Sequence, residues 1–262
     1  MNIGASTSCF YPLETEKALS RVIDLGFKKT EVFFNTISEL EIPFVKEMKK
    51  QADDAGVEVV SVHPFSSNLE NSCIFGEYQR RCDDFMDLYK KHCHAAALLG
   101  AKIVVIHGSY AKRKIELPEE HYFERFKSLI EIGKQEGVLV CQENVVAFRS
   151  QSIDFCQRMR DYIGNDFHMV FDVKQAIRSG YDPFEFVDAM KESIAHVHLS
   201  DHSQEADCMP PGRGNFDFQH LFDTMNRINY DGNYVIEIYS KGYDVAKELA
   251  LSKAYFDKLE VL

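Results

Sequence analysis

The chain has 262 residues, 45% of them hydrophobic, which suits one domain of the roughly 250 residues typical of a parallel barrel. Its net charge of −11 argues against non-specific nucleic-acid binding, which needs a clustered basic surface. No uncharged apolar stretch is long enough to cross a membrane, and the N-terminus shows no leader. We therefore expect a cytoplasmic protein with neither a nucleic-acid nor a membrane partner.

Short apolar, β-branched runs alternate with helical patterns eight times along the chain. The predicted strands are 2–6, 30–34, 57–63, 102–107, 138–143, 167–172, 194–199 and 234–239. The predicted helices are 14–25, 43–55, 76–99, 118–136, 153–163, 183–191, 218–227 and 245–259. This alternation predicts a parallel (β/α)8 barrel in a single domain spanning residues 1–262. An open doubly wound sheet is the alternative, but no Gly-x-Gly-x-x-Gly loop follows any strand.

Seven cysteines are scattered along the chain without a Cys-x-x-Cys pair. Several of them lie in apolar strand or helix segments, which indicates reduced thiols in the core and agrees with a cytosolic environment.

Four of the predicted strands carry, at or near their C-terminal ends, residues that can bind a metal ion. Glu143, Asp172, His198 and Glu237 lie 29, 26 and 39 residues apart, which is about one strand–helix unit or slightly more in each case. In a parallel barrel these strand ends meet at one mouth, so the four side chains are expected to converge. Two glutamates, an aspartate and a histidine suit Mn²⁺, Mg²⁺, Co²⁺ or Zn²⁺. The alternative, buried acids held by salt bridges alone, would be costly without a cation.

The alternation of side chains along a strand predicts further polar residues at the mouth of the barrel. Residues two apart share a face, so His63 and His107 are expected to point inward at the ends of the third and fourth strands. They are candidates for a second metal or for hydrogen bonds to a substrate, and we expect the substrate role. Glu31 is a candidate substrate ligand or supporting acid, with an ion pair to a lysine as its alternative. His196 lies one layer deeper and is expected to be a core or supporting residue.

The quartet and its surroundings resemble the sugar phosphate isomerase/epimerase group, the xylose-isomerase-like barrels. The sequence His198-Leu-Ser-Asp201, followed by Pro211-Gly212-x-Gly214-x-Phe-Asp217, is similar to the group's loop after strand seven. The group includes ketose 3-epimerases, hydroxypyruvate isomerases, inosose dehydratases, dehydroshikimate dehydratases and apurinic endonucleases. The resemblance implies a barrel that binds one divalent cation, for which we expect Mn²⁺, and a carbohydrate or keto-acid substrate. A homo-oligomer is also expected.

Two positions depart from the ketose 3-epimerase pattern. Arg149 stands where those enzymes carry a substrate-binding glutamate, and Gln175 stands where they carry a histidine, which the endonucleases use as a zinc ligand. An arginine at the mouth suits a carboxylate or phosphate, so we expect a shift away from free ketohexoses. Arg213 in the Pro/Gly loop is a second candidate for an oxyanion or phosphate contact, with a surface role as its alternative.

These residues predict an isomerase or epimerase that acts through an enediolate. A divalent cation polarises the substrate carbonyl, and Glu143 and Glu237 serve as base and acid on the two faces of the substrate. Loss of a β-hydroxyl from the same intermediate would make the protein a dehydratase or lyase. An apurinic-endonuclease-like phosphodiesterase and a non-catalytic carbohydrate-binding barrel are the remaining alternatives.

Overall fold

The computed structural model describes residues 3–112, 117–239 and 242–259, and they form a closed barrel of eight parallel strands. Each strand pairs with its neighbours in sequence, and the first pairs with the last. The strands are β1 Ile3–Ser6, β2 Lys29–Phe33, β3 Glu58–His63, β4 Ile103–Ile106, β5 Leu139–Glu143, β6 His168–Asp172, β7 Ile194–Leu199 and β8 Asn233–Ile236. The predicted (β/α)8 barrel is confirmed.

Helices follow the strands around the outside. They are α1 Thr15–Asp24, α2 Ile42–Asp54, α3 Ser67–Glu70, α4 Gln79–Leu99, α5 Glu119–Glu136, α6 Ile153–Ile163, α7 Val173–Arg178, α8 Pro183–Met190, α9 Phe218–Arg227 and α10 Val245–Leu259. Gly100 and Gly137 end α4 and α5 with φ of 82° and 70°, a left-handed conformation that glycine adopts without strain. No helix in the described ranges is long and apolar enough to cross a bilayer.

Two hydrophobic layers follow from the alternation of strand side chains. Outward-facing residues pack with the helices into the main core. Inside the barrel, Ile103, Val105, Cys141 and Val170 form a smaller apolar plug below the mouth. The plug fills the lower interior, so polar chemistry is confined to the C-terminal ends of the strands. All seven cysteines are free thiols, and only Cys208 is not fully buried.

Two helices, α3 and α7, were missed from the sequence, and the second of them shapes the site. α7 begins directly after β6, with no intervening loop, because the Asp172 side chain caps it by accepting a hydrogen bond from the backbone N–H of Gln175 at 3.1 Å. This turn brings Lys174 and Gln175 to the mouth. β8 is shorter than predicted and ends at Ile236, so Glu237 stands one residue past the strand.

Candidate metal centre and substrate cavity

The four predicted metal ligands converge at the mouth of the barrel. The Nδ1 atom of His198 lies 3.2 Å from Oε1 of Glu143, 3.5 Å from Oε2 of Glu237 and 4.0 Å from Oδ2 of Asp172. Each residue offers one ligand atom, and the four atoms lie within 4.8 Å of one another. Strand register explains part of this proximity, because Asp172 pairs with His198 between β6 and β7.

The orientation of His198 is fixed from below by Glu31. The Nε2 atom of His198 lies 3.0 Å from Oε2 of Glu31, whose carboxylate also accepts hydrogen bonds from Ser6 at 3.1 Å and from Ser61 at 2.8 Å. When the proton of the neutral ring is on Nε2, Nδ1 is unprotonated and faces the three carboxylates. A carboxylate behind a histidine is the usual support of a metal-ligating imidazole.

The donor set fits a divalent cation. Oδ2 of Asp172 and Oε2 of Glu143 are buried and accept no hydrogen bond from any described residue, although cationic groups stand close to both. Three carboxylates and one imidazole nitrogen are ligands that Mn²⁺, Mg²⁺, Co²⁺ and Zn²⁺ accept. Glu143, Asp172, His198 and Glu237 are therefore the residues that would hold the cation.

A second group of ligand atoms lies on the other side of Glu143. The Nε2 atoms of His63 and His107 are 3.0 Å apart, and that of His107 is 2.8 Å from Oε2 of Glu143. Nδ1 of His63 lies 3.2 Å from the carbonyl oxygen of Pro64. If Nδ1 carries the proton of the neutral ring and donates it to this oxygen, Nε2 is unprotonated. These three residues form a possible cation site, so both roles considered for the two histidines agree with the geometry.

Lys174 is a site residue that the sequence analysis missed. Its side chain is 2% exposed, and its Nζ donates to Oε2 of Glu237 at 3.0 Å and lies 3.1 Å from Oδ2 of Asp172. Burial disfavours the ammonium, but the charges of Asp172 and Glu237 outweigh it and hold the pKa of Lys174 well above its usual value. The only clue in the sequence was its position two residues after Asp172.

The carboxylates differ in pKa because their neighbours differ. Burial opposes the ionisation of Glu143, but His107, His198 and His63 hold its pKa well below the usual range. Burial also opposes ionisation of Glu237, and Lys174 and His198 lower its pKa nevertheless. Burial raises the pKa of Asp172 to about 6; the charges of Glu143 and Glu237 act in the same direction and Lys174 opposes them.

A cavity of about 460 Å³ opens above the quartet, a size suited to a small ligand. The lining residues are Ser8, Tyr11, Phe33, Asn35, His63, Phe65, Ser67, Asn68, His107, Glu143, Lys174, Gln175, Glu237, Ile238 and Tyr239. Of the four predicted ligands, Glu143 and Glu237 line the cavity, whereas Asp172 and His198 lie beneath it. The two glutamates are thus the members of the quartet that face the cavity.

Gln175 lies at the edge of this cavity, where its Oε1 accepts a hydrogen bond from the backbone N–H of Val146 at 3.1 Å. Its side chain therefore holds the loop after β5. Glu31 does not line the cavity: it is fully buried beneath His198, a position that agrees with the supporting role. His196 is also fully buried, with Nε2 3.1 Å from the Ser61 hydroxyl, as predicted.

Arg149, expected to contact an anion at the mouth, does not line the central cavity. Its guanidinium lies over the rings of Tyr122 and Phe155 and donates to the carbonyl oxygen of Leu117 at 2.6 Å. It lines a separate surface depression beside Pro118 instead of the central cavity. Arg149 begins a short 3-10 helix after β5 and points toward the helical layer, a direction that sequence spacing did not reveal.

Arg213 also points away from the cavity. It makes a bidentate ion pair with Glu248, with N–O distances of 2.7 and 2.9 Å, and its side chain is half exposed. The surrounding loop is held by Asp201, whose carboxylate accepts backbone hydrogen bonds from Gly212, Gly214 and Phe216. The motif after β7 is therefore a structural loop, and the surface role of Arg213 agrees with its position.

Comparison with known proteins gives the same architecture. The chain is 22% identical to the inosose dehydratase of Clostridium botulinum over 255 residues, covering 85% of this chain and 81% of the relative. It is 21% identical to the 3-dehydro-D-guloside 4-epimerase of Escherichia coli over 282 residues, covering 99% and 98%. The solved structure of a D-tagatose 3-epimerase-like protein matches with a TM-score of 0.81 and 21% identity, covering 99% and 98%. The family described as xylose isomerase-like TIM barrel matches residues 19–259, and this protein belongs to that family.

Proposed function

We propose that this protein is a divalent-metal-dependent epimerase or isomerase that moves a proton next to the carbonyl of a sugar, a sugar derivative or a keto-acid. The observation that carries the proposal is the division of the quartet between two levels. Asp172 and His198 lie under the cavity as ligands only, whereas Glu143 and Glu237 both hold the site and face the substrate.

Glu143, Asp172, His198 and Glu237 would hold the cation, with Mn²⁺ as our expectation. When bound, a divalent cation acts as a Lewis acid that makes the proton next to a carbonyl acidic and stabilises an enediolate. Asp172 and His198 contribute ligand atoms from below, and Glu31 keeps Nδ1 of His198 turned toward the site.

Glu143 and Glu237 are the proposed base and acid. The pKa values of both carboxylates are lowered, so either Glu143 or Glu237 can be ionised and serve as the base, while its partner must carry a proton from solvent to serve as the acid. Return of the proton to the opposite face of the same carbon gives an epimer. Return of the proton to the neighbouring carbon gives an aldose–ketose isomer.

The cavity supports a carbohydrate-sized substrate with polar and apolar faces. Tyr11, Phe33, Phe65 and Tyr239 line it with aromatic rings, against which the C–H face of a sugar can pack. His63 and His107 line the same space and offer hydrogen bonds to hydroxyl or carbonyl oxygens. The similarity to a sugar epimerase supports this substrate class.

A dehydratase is the second candidate function. It is favoured by the similarity to an inosose dehydratase over 85% of the chain. The first proton abstraction is shared, and the outcome changes when a β-hydroxyl leaves before the proton returns. The same two glutamates can serve both reactions, since one removes the α-proton and the other protonates the leaving hydroxyl.

Deuterium wash-in from D₂O tests the proposal. The purified protein, loaded with Mn²⁺, is incubated with a panel of ketoses, 3-keto-sugars, inososes and keto-acids, and exchange is followed by NMR and mass spectrometry. We expect exchange at one α-carbon of at least one substrate class, and we expect its loss after chelation. Exchange with an epimer or isomer as product supports the first function, and loss of water supports the dehydratase. Metal-loaded protein that exchanges none of the panel would contradict both functions.

A further inference from the structure

The ammonium of Lys174 lies inside the proposed metal centre. Its Nζ contacts Oε2 of Glu237 at 3.0 Å and Oδ2 of Asp172 at 3.1 Å. The same two oxygens are the ones that face Nδ1 of His198, at 3.5 and 4.0 Å. Because the ammonium contacts two of the proposed ligands, Lys174 is expected to affect the affinity of the site for a cation.

The two contacts are not equivalent. Nζ donates a hydrogen bond to Glu237, but Oδ2 of Asp172 accepts none from any described residue despite the nearby charge. The ammonium therefore balances the charge of Asp172 while its hydrogen bond goes to Glu237. A divalent cation, by contrast, needs lone pairs of Asp172 together with those of Glu237.

Charge balance explains why a lysine would stand here. Without a cation, Asp172 and Glu237 would be two buried carboxylates beside Glu143, an arrangement that burial makes costly. The long, unbranched side chain of lysine carries a compact charge that neutralises them and can move. When a divalent cation takes the same oxygens, it would repel the neighbouring positive charge of the ammonium.

We propose that Lys174 is a tethered counter-ion of the metal centre, which competes with the divalent cation for Asp172 and Glu237 and yields its place when the cation binds. This inference rests on the metal site of the proposed function. It adds a positioning residue that holds the site open to exchange of the cation and keeps the carboxylates paired in its absence.

The structure offers the displaced ammonium a place. Nζ already lies 5.1 Å from the ring centroid of Tyr239, a distance at which a cation is attracted to an aromatic face. Both Lys174 and Tyr239 line the cavity. Rotation of the side chain toward that ring keeps Lys174 at the cavity wall, where it supplies a fixed positive charge on the substrate side.

The test uses Mn²⁺ alone as the probe, with no substrate. Metal-free protein is titrated by calorimetry and by the EPR signal of free Mn²⁺, for the parent and for Lys174→Met, which keeps length and removes charge. We expect Lys174→Met to bind Mn²⁺ about 10- to 100-fold more tightly, the range that changes around metal ligands produce. Lys174→Arg keeps a positive charge and is expected not to tighten binding.

Lys29→Met is the matched control. Lys29 begins β2 at the opposite end of the barrel, where it contacts Asn233 and Glu58, so its loss should leave Mn²⁺ affinity unchanged. Thermal unfolding provides a second readout. The melting temperature of metal-free Lys174→Met should fall below that of the parent, and added Mn²⁺ should raise it by more than in the parent.

If Lys174→Met does not fold without metal, it is purified with Mn²⁺, and the rate of metal loss to a chelator is compared with the parent; slower loss supports the proposal. Unchanged or weaker binding in Lys174→Met, with a parent that binds Mn²⁺, overturns the inference and leaves the metal site intact. If Lys174→Met binds Mn²⁺ and the parent does not, the inference receives its strongest support. Failure of both proteins to bind Mn²⁺, Mg²⁺, Co²⁺ or Zn²⁺ contradicts the metal site itself.

Discussion

The mouth of the barrel has two sides that meet at Glu143, and they differ in charge. The acid side, formed by Asp172 and Glu237, carries carboxylates that are balanced by the buried Lys174. The histidine side, formed by His63 and His107, carries imidazoles that reach one oxygen of Glu143 and line the cavity. Under the proposed function, the acid side would hold the cation and the histidine side would face the substrate.

Replacement of the shared residue gives the largest expected effect. Glu143→Gln keeps the shape but cannot accept a proton, and Glu237→Gln tests the opposite side of the substrate. We expect each variant to lose about 10²–10⁴-fold in turnover while it keeps the fold. The measurement is the rate of product formation together with deuterium exchange on the substrate identified by wash-in.

Glu192→Gln, at an exposed position before β7, is the control and should leave turnover unchanged. If the replaced glutamate is the one that returns the proton, the substrate proton still exchanges with solvent on one face while product formation stops. Near-parental rates in both site variants would show that the carboxylates only hold metal. Catalysis would then be reassigned to His63 or His107.

Asp172→Asn changes a ligand on the acid side and leaves the histidine side unchanged. The amide removes one charge, but its oxygen can still accept the Gln175 N–H that begins α7. We expect the fold to survive and Mn²⁺ affinity to fall by about 100-fold or more, at the upper end of what supporting residues produce. Calorimetric titration measures it, and exposed Asp188→Asn is the control. Parental affinity would mean that Asp172 is not a ligand.

Glu31→Gln tests the support beneath His198 and should have a smaller effect. A neutral amide holds the Nε2 proton less strongly than a carboxylate, so Nδ1 is a weaker and less fixed ligand. We expect a loss of about 10- to 100-fold in Mn²⁺ affinity. The same titration checks it, and an unchanged affinity would place Glu31 outside the metal centre.

His107→Asn examines the histidine side and is expected to have the smallest effect on the metal. Loss of one hydrogen bond to substrate should raise KM by about tenfold. The number of Mn²⁺ ions bound per chain should not change. If it falls from two to one, His63, His107 and Glu143 hold a second cation, and the contrast between the two sides disappears.

The sequence predicted the part of the site that strands deliver. A parallel strand has a fixed alternation, so a residue at its end points into the barrel with few alternatives, and the strand ends all meet at one mouth. Glu143, Asp172, His198 and His63 lie within the last two residues of their strands, and His107 and Glu237 stand one residue past theirs, so the same regularity places all six at the mouth. The barrel follows from the same regularity.

The positions of residues farther from the strand ends were decided only by the tertiary structure. Arg149 was predicted at the mouth but lies over Tyr122, because a short helix after β5 turns it toward the helical layer. Lys174 was missed because the cap formed by Asp172 starts α7 at once and brings the ammonium back over its own strand. The directions of such side chains depend on caps, turns and packing partners distant in sequence, which no local periodicity encodes.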